Sequence, residues 1–177
     1  ELITDYIKNL EDIFPEMKVS VMIRKGELLF PLAAPSLDRE YLKKLENGIP
    51  IGDNQGSCGT AAYLLKPVIV SNIQEDQKWE KYRDWGVKYG FSACWSVPIF
   101  NNMGEVIGTF ACYYEQSRAP FFYEQYAIER GQRLLNLLYT QNSYLTSLEE
   151  NIKLFELINL ATKDAIYDWD LISDALI

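Results

Sequence analysis

The sequence predicts an α+β fold in which a central antiparallel sheet is covered on both faces and a long helix closes the chain. Three observations predict it. Two long apolar runs, 91–100 and 105–114, are joined by Asn101-Asn102-Met103-Gly104, a hairpin loop with glycine at the left-handed position. Both runs are apolar at odd and even positions, so neither strand has a side for water. They sit centrally, with helices or a pocket on each face. At the two ends of the chain, by contrast, apolar residues recur at the three- and four-residue spacing of helices.

Taken in order, Leu2, Ile3, Tyr6, Ile7, Leu10 and Ile13 form the apolar face of a first helix that Pro15 ends. Val19, Val21 and Ile23 alternate with Ser20, Met22 and Arg24, and Lys25-Gly26-Glu27 turns the chain into Leu28-Leu29-Phe30, a β-hairpin. Asp38 caps a second helix over 38–46, which Asn47-Gly48 stops. A short helix over 57–65, a strand over 67–71 and a helix over 74–88 follow. Pairing Asn101 with Glu105 across the next hairpin places Cys94 opposite Cys112. From Pro120 to about Asn159 one helical pattern runs without an internal proline, and a new element begins in 161–177.

The segment Gly56-Ser57-Cys58-Gly59-Thr60-Ala61-Ala62-Tyr63, with Pro67-Val68-Ile69-Val70-Ser71-Asn72-Ile73 after it, resembles a GAF domain, the small-molecule-binding input module of bacterial signalling proteins. Trp79, the stretch Gly90-Phe91-Ser92-Ala93-Cys94-Trp95-Ser96-Val97-Pro98-Ile99, then Gly104-Glu105-Val106-Ile107-Gly108-Thr109-Phe110-Ala111, and Tyr113-Tyr114 with Ser117-Arg118-Ala119-Pro120 look like the family's landmarks in their usual order. The resemblance implies a GAF sensory domain over 1–148, with terminal helices on one face of the sheet and a ligand pocket under short helices and loops on the other. Phe155-Glu156-Leu157-Ile158 and Ala161-Thr162-Lys163-Asp164-Ala165-Ile166-Tyr167-Asp168-Trp169-Asp170-Leu171 look like the first helix and strand of a PAS domain. That makes 149–160 a linker (signalling) helix and 161–177 the truncated start of the PAS domain. This layout is similar to sensor histidine kinases of two-component systems and to sensory diguanylate cyclases or phosphodiesterases of cyclic-di-GMP signalling. The implied partners are therefore downstream PAS and effector domains of the same chain.

Composition removes much chemistry. The chain has no histidine, which excludes an imidazole base, Ser-His or Cys-His pairs and His-containing zinc sites. GAF domains that hold bilin or haem pair the pigment with a histidine, so the resemblance implies no haem, no bilin and no metal here. Lys and Arg number 17 against 25 Asp and Glu, giving a net charge of −8, which repels nucleic acid and anionic membranes. Three cysteines, Cys58, Cys94 and Cys112, are too few and odd in number for a disulfide framework, so a reducing, cytoplasmic setting is expected. No stretch is long and apolar enough to span a bilayer, and the first residue is Glu rather than Met, so the chain reads as a fragment.

The candidate ligand-binding residues are Cys58, Trp79, Tyr82, Trp85, Phe91, Cys94, Ser96, Cys112 and Tyr114. Cys58 precedes a short helix whose N-terminus would lower its thiol pKa, or it fills a small space under the sheet. Trp79, Tyr82 and Trp85, at roughly helical spacing, either wall an apolar pocket or pack their helix on the sheet. Free methionine sulfoxide reductases, one GAF subfamily, have a similar Gly-x-Cys-Gly segment. This sequence lacks their Cys-Asp attacking pair, and Ala111 and Tyr113 stand where they carry acidic residues. Cyclic-nucleotide-binding GAF domains carry an Asn-Lys and an Asp-Glu pair where Tyr114-Glu115 and Tyr123-Glu124 lie here.

Along the last helix Leu138, Leu145 and Ile152 form one seven-residue series, and Leu134, Leu148 and Phe155 its partner, with Gln141 and Asn159 as polar breaks. The early leucines can pack on the sheet, whereas Leu145, Leu148, Ile152 and Phe155 have nothing obvious in their own chain to cover them, so a homodimer through the terminal helices is expected. The expected whole is a cytoplasmic, non-catalytic, small-molecule-sensing domain without a resident cofactor. The alternatives are a thiol-based free methionine sulfoxide reductase-like enzyme using Cys58, or a ligand-free dimerisation module.

Overall fold

The computed structural model describes the backbone of residues 2–174 and the side chains of residues 2–158. Six antiparallel strands form one sheet in the order β3-β2-β1-β6-β5-β4, with β1 at Lys18–Lys25, β2 at Leu28–Ala33, β3 at Ile49–Pro50, β4 at Val68–Val70, β5 at Ala93–Phe100 and β6 at Val106–Tyr114. The helices are α1 (Leu2–Ile13), α2 (Arg39–Leu45), α3 (Gly56–Leu64), α4 (Arg83–Lys88) and α5 (Phe122–Asp174). As the uninterrupted apolar runs require, β5 and β6 are interior strands, buried along nearly all their length. Alternation then sorts side chains into two cores. Ile7 and Leu10 of α1 and Ile128 and Leu135 of α5 cover Val19, Val21, Trp95, Val97, Phe110, Cys112 and Tyr114 on one face. On the other face α2, α3 and the segment around Trp79 cover Met22, Val68, Val70, Cys94, Ala111 and Tyr113.

Local chemistry explains most boundaries. Asp38 accepts hydrogen bonds from the Glu40 and Tyr41 amides at 2.7 and 3.4 Å and starts α2, and Gly48 ends it at φ +78°. The stretch expected as one helix over 74–88 is two. A 3-10 helix occupies Gln77–Tyr82, capped by Asp76 on the Lys78 amide at 2.9 Å, and α4 follows. The two-residue β3 carries no periodicity to read, and its Pro50 is tolerated because β3 is an edge strand. Leu65, 60% exposed, ends α3 in the left-handed region at φ +57°, which costs a residue with a Cβ about 1 kcal/mol. Leu65→Gly is therefore expected to raise stability by about 0.5–1 kcal/mol, read as a higher urea midpoint.

The β5–β6 register departs from the expected one. Phe100 opposes Val106, but Ile99 opposes Gly108, leaving Ile107 as a bulge. Beyond it the pairing is shifted by one, so Cys94 opposes Tyr113 and Trp95 opposes Cys112. The bulge falls where Gly108 lies against the Met22 carbonyl, an approach that admits no Cβ. Because strand side chains alternate, one residue of slip sends Cys94 and Cys112 to opposite faces.

The start of α5 is fastened to the sheet by a caged ion pair. Arg118 Nη1 and Nη2 donate to the two oxygens of Glu124 at 2.8 and 2.6 Å. Glu124 also accepts from the Phe121 amide at 2.8 Å, closing the helix's first turn, and from the Tyr114 hydroxyl at 3.2 Å. The guanidinium lies 4.2, 4.9 and 5.1 Å from the ring centres of Tyr114, Phe121 and Trp95.

The chain divides into two units, Glu1–Leu137 and Leu138–Ile177, and the expected boundary at 148 falls inside the second. Leu135 is buried and Leu134 and Leu138 are half-buried, while Leu145, Leu148, Ile152 and Phe155 are exposed. The expected helix end near Asn159 is not observed: α5 continues to Asp174, so no strand forms within 161–174. The side chains of the expected PAS start, and its residues 175–177, lie outside the described residues. Among the described residues no helix is long and apolar enough to cross a membrane, and no acidic or cysteine cluster could hold a metal ion.

Candidate functional site

Between α2, α3, the 3-10 helix and the sheet lies a small cavity of about 10 Å³, lined by Tyr41, Leu45, Ile49, Gly56, Ser57, Cys58, Trp79, Tyr82, Trp85 and Tyr113, room for about one water molecule. Asp38-capped α2 supplies Tyr41 and Leu45 one turn apart. The N-terminal turn of α3 supplies Gly56, Ser57 and Cys58, and Gly59 lets this helix press so closely on the Pro50 carbonyl that a Cβ would not fit. Trp79, 3% exposed, donates its indole Nε1–H to Ser57 Oγ at 2.9 Å, and Ser57 donates to the Cys94 carbonyl at 2.9 Å. Tyr82 and Trp85, both partly buried, pack edge to face at 5.1 Å. The Tyr82 hydroxyl donates to Gln55 Oε1 at 2.9 Å, latching the 3-10 helix to the start of α3.

The deeper layer is polar but uncharged. Ser20 and Tyr113 share a hydroxyl hydrogen bond at 3.2 Å. Ser96 and Thr109 are buried with hydroxyls that have no hydrogen-bond partner, on the side of the Cys58 thiol. Burial pushes the Cys58 thiol up, against the lowering influence of the Ser96, Thr109 and Tyr113 hydroxyls. Of the two readings of Cys58, activation at a helix N-terminus is outweighed by desolvation, which favours the neutral thiol and with it the buried, space-filling reading. Burial likewise raises Tyr41 and Tyr113. None of the ten lining side chains bears a charge at neutral pH.

Of the residues picked from sequence, Cys58, Trp79, Tyr82 and Trp85 line the cavity. Phe91, Cys94 and Ser96 stand behind it: Phe91 packs on Tyr41 and Tyr113 at 5.3 and 4.8 Å, Cys94 takes part through its carbonyl, and Ser96 lies beneath Cys58. Cys112 and Tyr114 do not belong to this site. The bulge turns both to the α1–α5 face, where Tyr114 stacks on Trp95 at 4.1 Å. Tyr41, Ile49, Ser57 and Tyr113 were missed. Tyr41 could have been found from the Tyr41/Leu45 spacing, whereas Tyr113 needed the true register. Trp79 belongs to the core on this face of the sheet and also borders the cavity. Trp79→Ala is expected to cost about 3 kcal/mol in a denaturant titration and to enlarge the cavity.

The sequence profile of the GAF domain matches residues 7–138. Over 169 residues the chain is 33% identical to the methyl sulfide methyltransferase-associated sensor of Methanosarcina acetivorans, an alignment that covers 94% of this chain and 17% of that protein. The chain thus spans about one sixth of that relative's length. Among solved structures, a domain of a two-component sensor histidine kinase protein from Sinorhizobium meliloti superposes with a TM-score of 0.68 at 15% identity, covering 84% of this chain and 95% of that one. The type II free methionine-R-sulfoxide reductase of Thermoplasma acidophilum superposes at 0.61 with 16% identity, over 77% of this chain and 89% of that one. At these identities the two structures share a fold with this chain.

Proposed function

This chain belongs to the GAF domain family, and on that footing we propose that it is a non-catalytic regulatory module whose aromatic pocket senses a small uncharged molecule. The observation that carries the reading is the lining. Five aromatic side chains, with neutral hydroxyls and a thiol, surround the cavity, and its lining holds no cation to meet a phosphate or carboxylate and no anion to meet an ammonium. Lys44, outside the lining, places its Nζ over the Trp85 ring, 5.0 Å from the ring centre. With about 10 Å³ available, entry requires Tyr82 to leave Gln55, so binding and movement of the 3-10 helix are one event. A ligand that prefers the moved arrangement shifts the equilibrium by its differential affinity, typically about 1–3 kcal/mol.

The output is proposed to pass along α5 in a homodimer seamed by Leu138, Leu145, Leu148, Ile152 and Phe155 toward a PAS domain that follows the helix. A histidine kinase or cyclic-di-GMP enzyme would follow in the same cytoplasmic protein. The 33% identical relative is itself a sensor much longer than this chain, which supports a modular parent. All three cysteines are free and buried, in keeping with a reducing compartment, and no haem, bilin or other resident cofactor is proposed.

Native mass spectrometry of freshly purified protein tests the reading, followed by thermal-shift titration with a panel of neutral and charged small molecules. A neutral compound that binds and is lost in Trp79→Ala is the expected result. Reduction of free methionine sulfoxide that vanishes in Cys58→Ser would overturn it in favour of thiol catalysis. Preferential binding of a phosphorylated or carboxylate compound would overturn the ligand class.

A further inference from the structure

Two hydrogen-bonded clusters on opposite faces of the sheet meet at one peptide. On the pocket face, Trp79 donates to Ser57 and Ser57 to the Cys94 carbonyl, each at 2.9 Å. The next residue, Trp95, points to the other face, where its indole Nε1–H donates to the Arg118 carbonyl at 3.3 Å. Trp95 also stacks on Tyr114 and forms one wall of the cage holding Arg118 against Glu124 of α5. We propose that these seven residues are a single relay, joined at the Cys94–Trp95 peptide, by which a change at the pocket loosens or tightens the anchoring of α5. As a signal route it rests on the sensing function proposed above.

The physics of each link is specific. Ser57 has one hydroxyl proton, and it remains on the Cys94 carbonyl while Trp79 occupies the serine's lone pair. A ligand group that accepts the indole N–H, or that displaces the ring, frees Ser57 to turn, giving the run two discrete states. Trp79 sits on a 3-10 segment, whose strained hydrogen bonds make it the readiest helical element to rearrange. Cys94, on buried strand β5, is paired on both sides, to Val70 and Tyr113. A tilt of its carbonyl cannot be absorbed by solvent and is passed to the adjoining residue. Beyond Trp95 the clamp is stiff, since Glu124 is 3% exposed and both its oxygens are engaged. Trp85 lines the same cavity but takes no part in the hydrogen-bonded run, which makes it the natural control.

Hydrogen exchange of the 177-residue chain, read by mass spectrometry without any ligand, tests the relay. Trp79→Phe keeps an aromatic ring and removes the N–H; Ser57→Ala removes the middle link. Both are expected to speed exchange at amides 121–128 by about fivefold, the effect of one lost hydrogen bond, while Trp85→Phe leaves them unchanged. In the reverse direction Arg118→Lys, which loses the two-pronged grip, is expected to speed exchange in α3, because coupling is reciprocal. Leu29→Ala, a core change outside the relay, controls for general loss of stability. The relay is overturned if Trp79→Phe and Ser57→Ala alter α3 alone, or if Leu29→Ala reproduces their pattern. These readings need no ligand, so a pocket that binds nothing would defeat the sensing proposal and leave the relay's result intact.

Discussion

Glu124→Ala is expected to lower stability by about 3 kcal/mol, because it removes the hydrogen-bonded partner of a buried ion pair and leaves Arg118 with only the exposed Glu16 carboxylate, 3.8 Å away, to offset its charge. Arg118 keeps a side-chain exposure of 16%, and three aromatic rings cannot replace the two hydrogen bonds it loses. The Phe121 amide and the Tyr114 hydroxyl lose their acceptor as well, so the first turn of α5 is unfastened together with the clamp. The pH dependence carries its own sign. Burial alone would raise the Glu124 carboxyl, but the Arg118 guanidinium, the Phe121 amide and the Tyr114 hydroxyl together hold it below the usual range. A carboxyl depressed in the folded state contributes stability that is complete above its unfolded value of about 4.3 and is lost as pH falls through the folded value. Urea titrations of wild type and Glu124→Gln should therefore differ most at neutral pH and converge under acid conditions. A difference that persists unchanged below the carboxylate range would show that the charge is not what fastens the helix.

How much of this was legible in the sequence depends on range. Elements governed by local chemistry were readable: Asp38 at the start of α2, Gly48 at its end, and the apolar doubling that buries β5 and β6. The ordered landmarks from Gly56 to Pro120 were enough to indicate the family. What escaped was set by contacts distant in sequence. The Ile107 bulge arises where Gly108 meets the Met22 carbonyl of β1, a meeting that no window along β6 reveals. Its consequence was to move Cys112 and Tyr114 out of the candidate pocket and Tyr113 into it. The Arg118–Glu124 clamp was hidden for the opposite reason: a charged pair six residues apart ordinarily reads as surface, and only the convergence of Trp95, Tyr114 and Phe121 buries it. Cys58 shows the limit of a local electrostatic rule: the sequence places it just before a helix and leaves an activated thiol and a buried filler both open, whereas the fold puts it inside the first turn of α3 and buries it, and only the packing of α3 on the sheet decides between the two.

The largest change in assembly is expected from Leu148→Glu combined with Ile152→Glu, which should convert a dimer into a monomer. Within the second unit exposure alone does not single out a seam, because Tyr144, Leu154, Leu157 and Ile158 are as open to solvent as Leu145, Leu148, Ile152 and Phe155. Spacing does. Positions 138, 141, 145, 148, 152, 155 and 159 alternate three- and four-residue steps, the pattern that keeps one stripe facing a partner helix, with polar residues at 141 and 159 that would fix register. An isolated helix of this kind draws its stability from burying such a stripe. Burial of one Leu or Ile is worth about 1.5–3 kcal/mol, and each substitution acts twice in a symmetric pair. Four carboxylates placed in the seam would remove that gain and add their own desolvation. A weakening of at least ~10³-fold is therefore the minimum expected, since each tenfold step is about 1.4 kcal/mol. Sedimentation or light scattering across the micromolar range reads the outcome, with circular dichroism verifying that helix content in the GAF core is retained. A wild-type chain that stays monomeric at high micromolar concentration, or a doubly substituted one whose mass is unchanged, would remove the paired helix from the mechanism. Any signal leaving the Arg118–Glu124 clamp would then have to travel along a single helix.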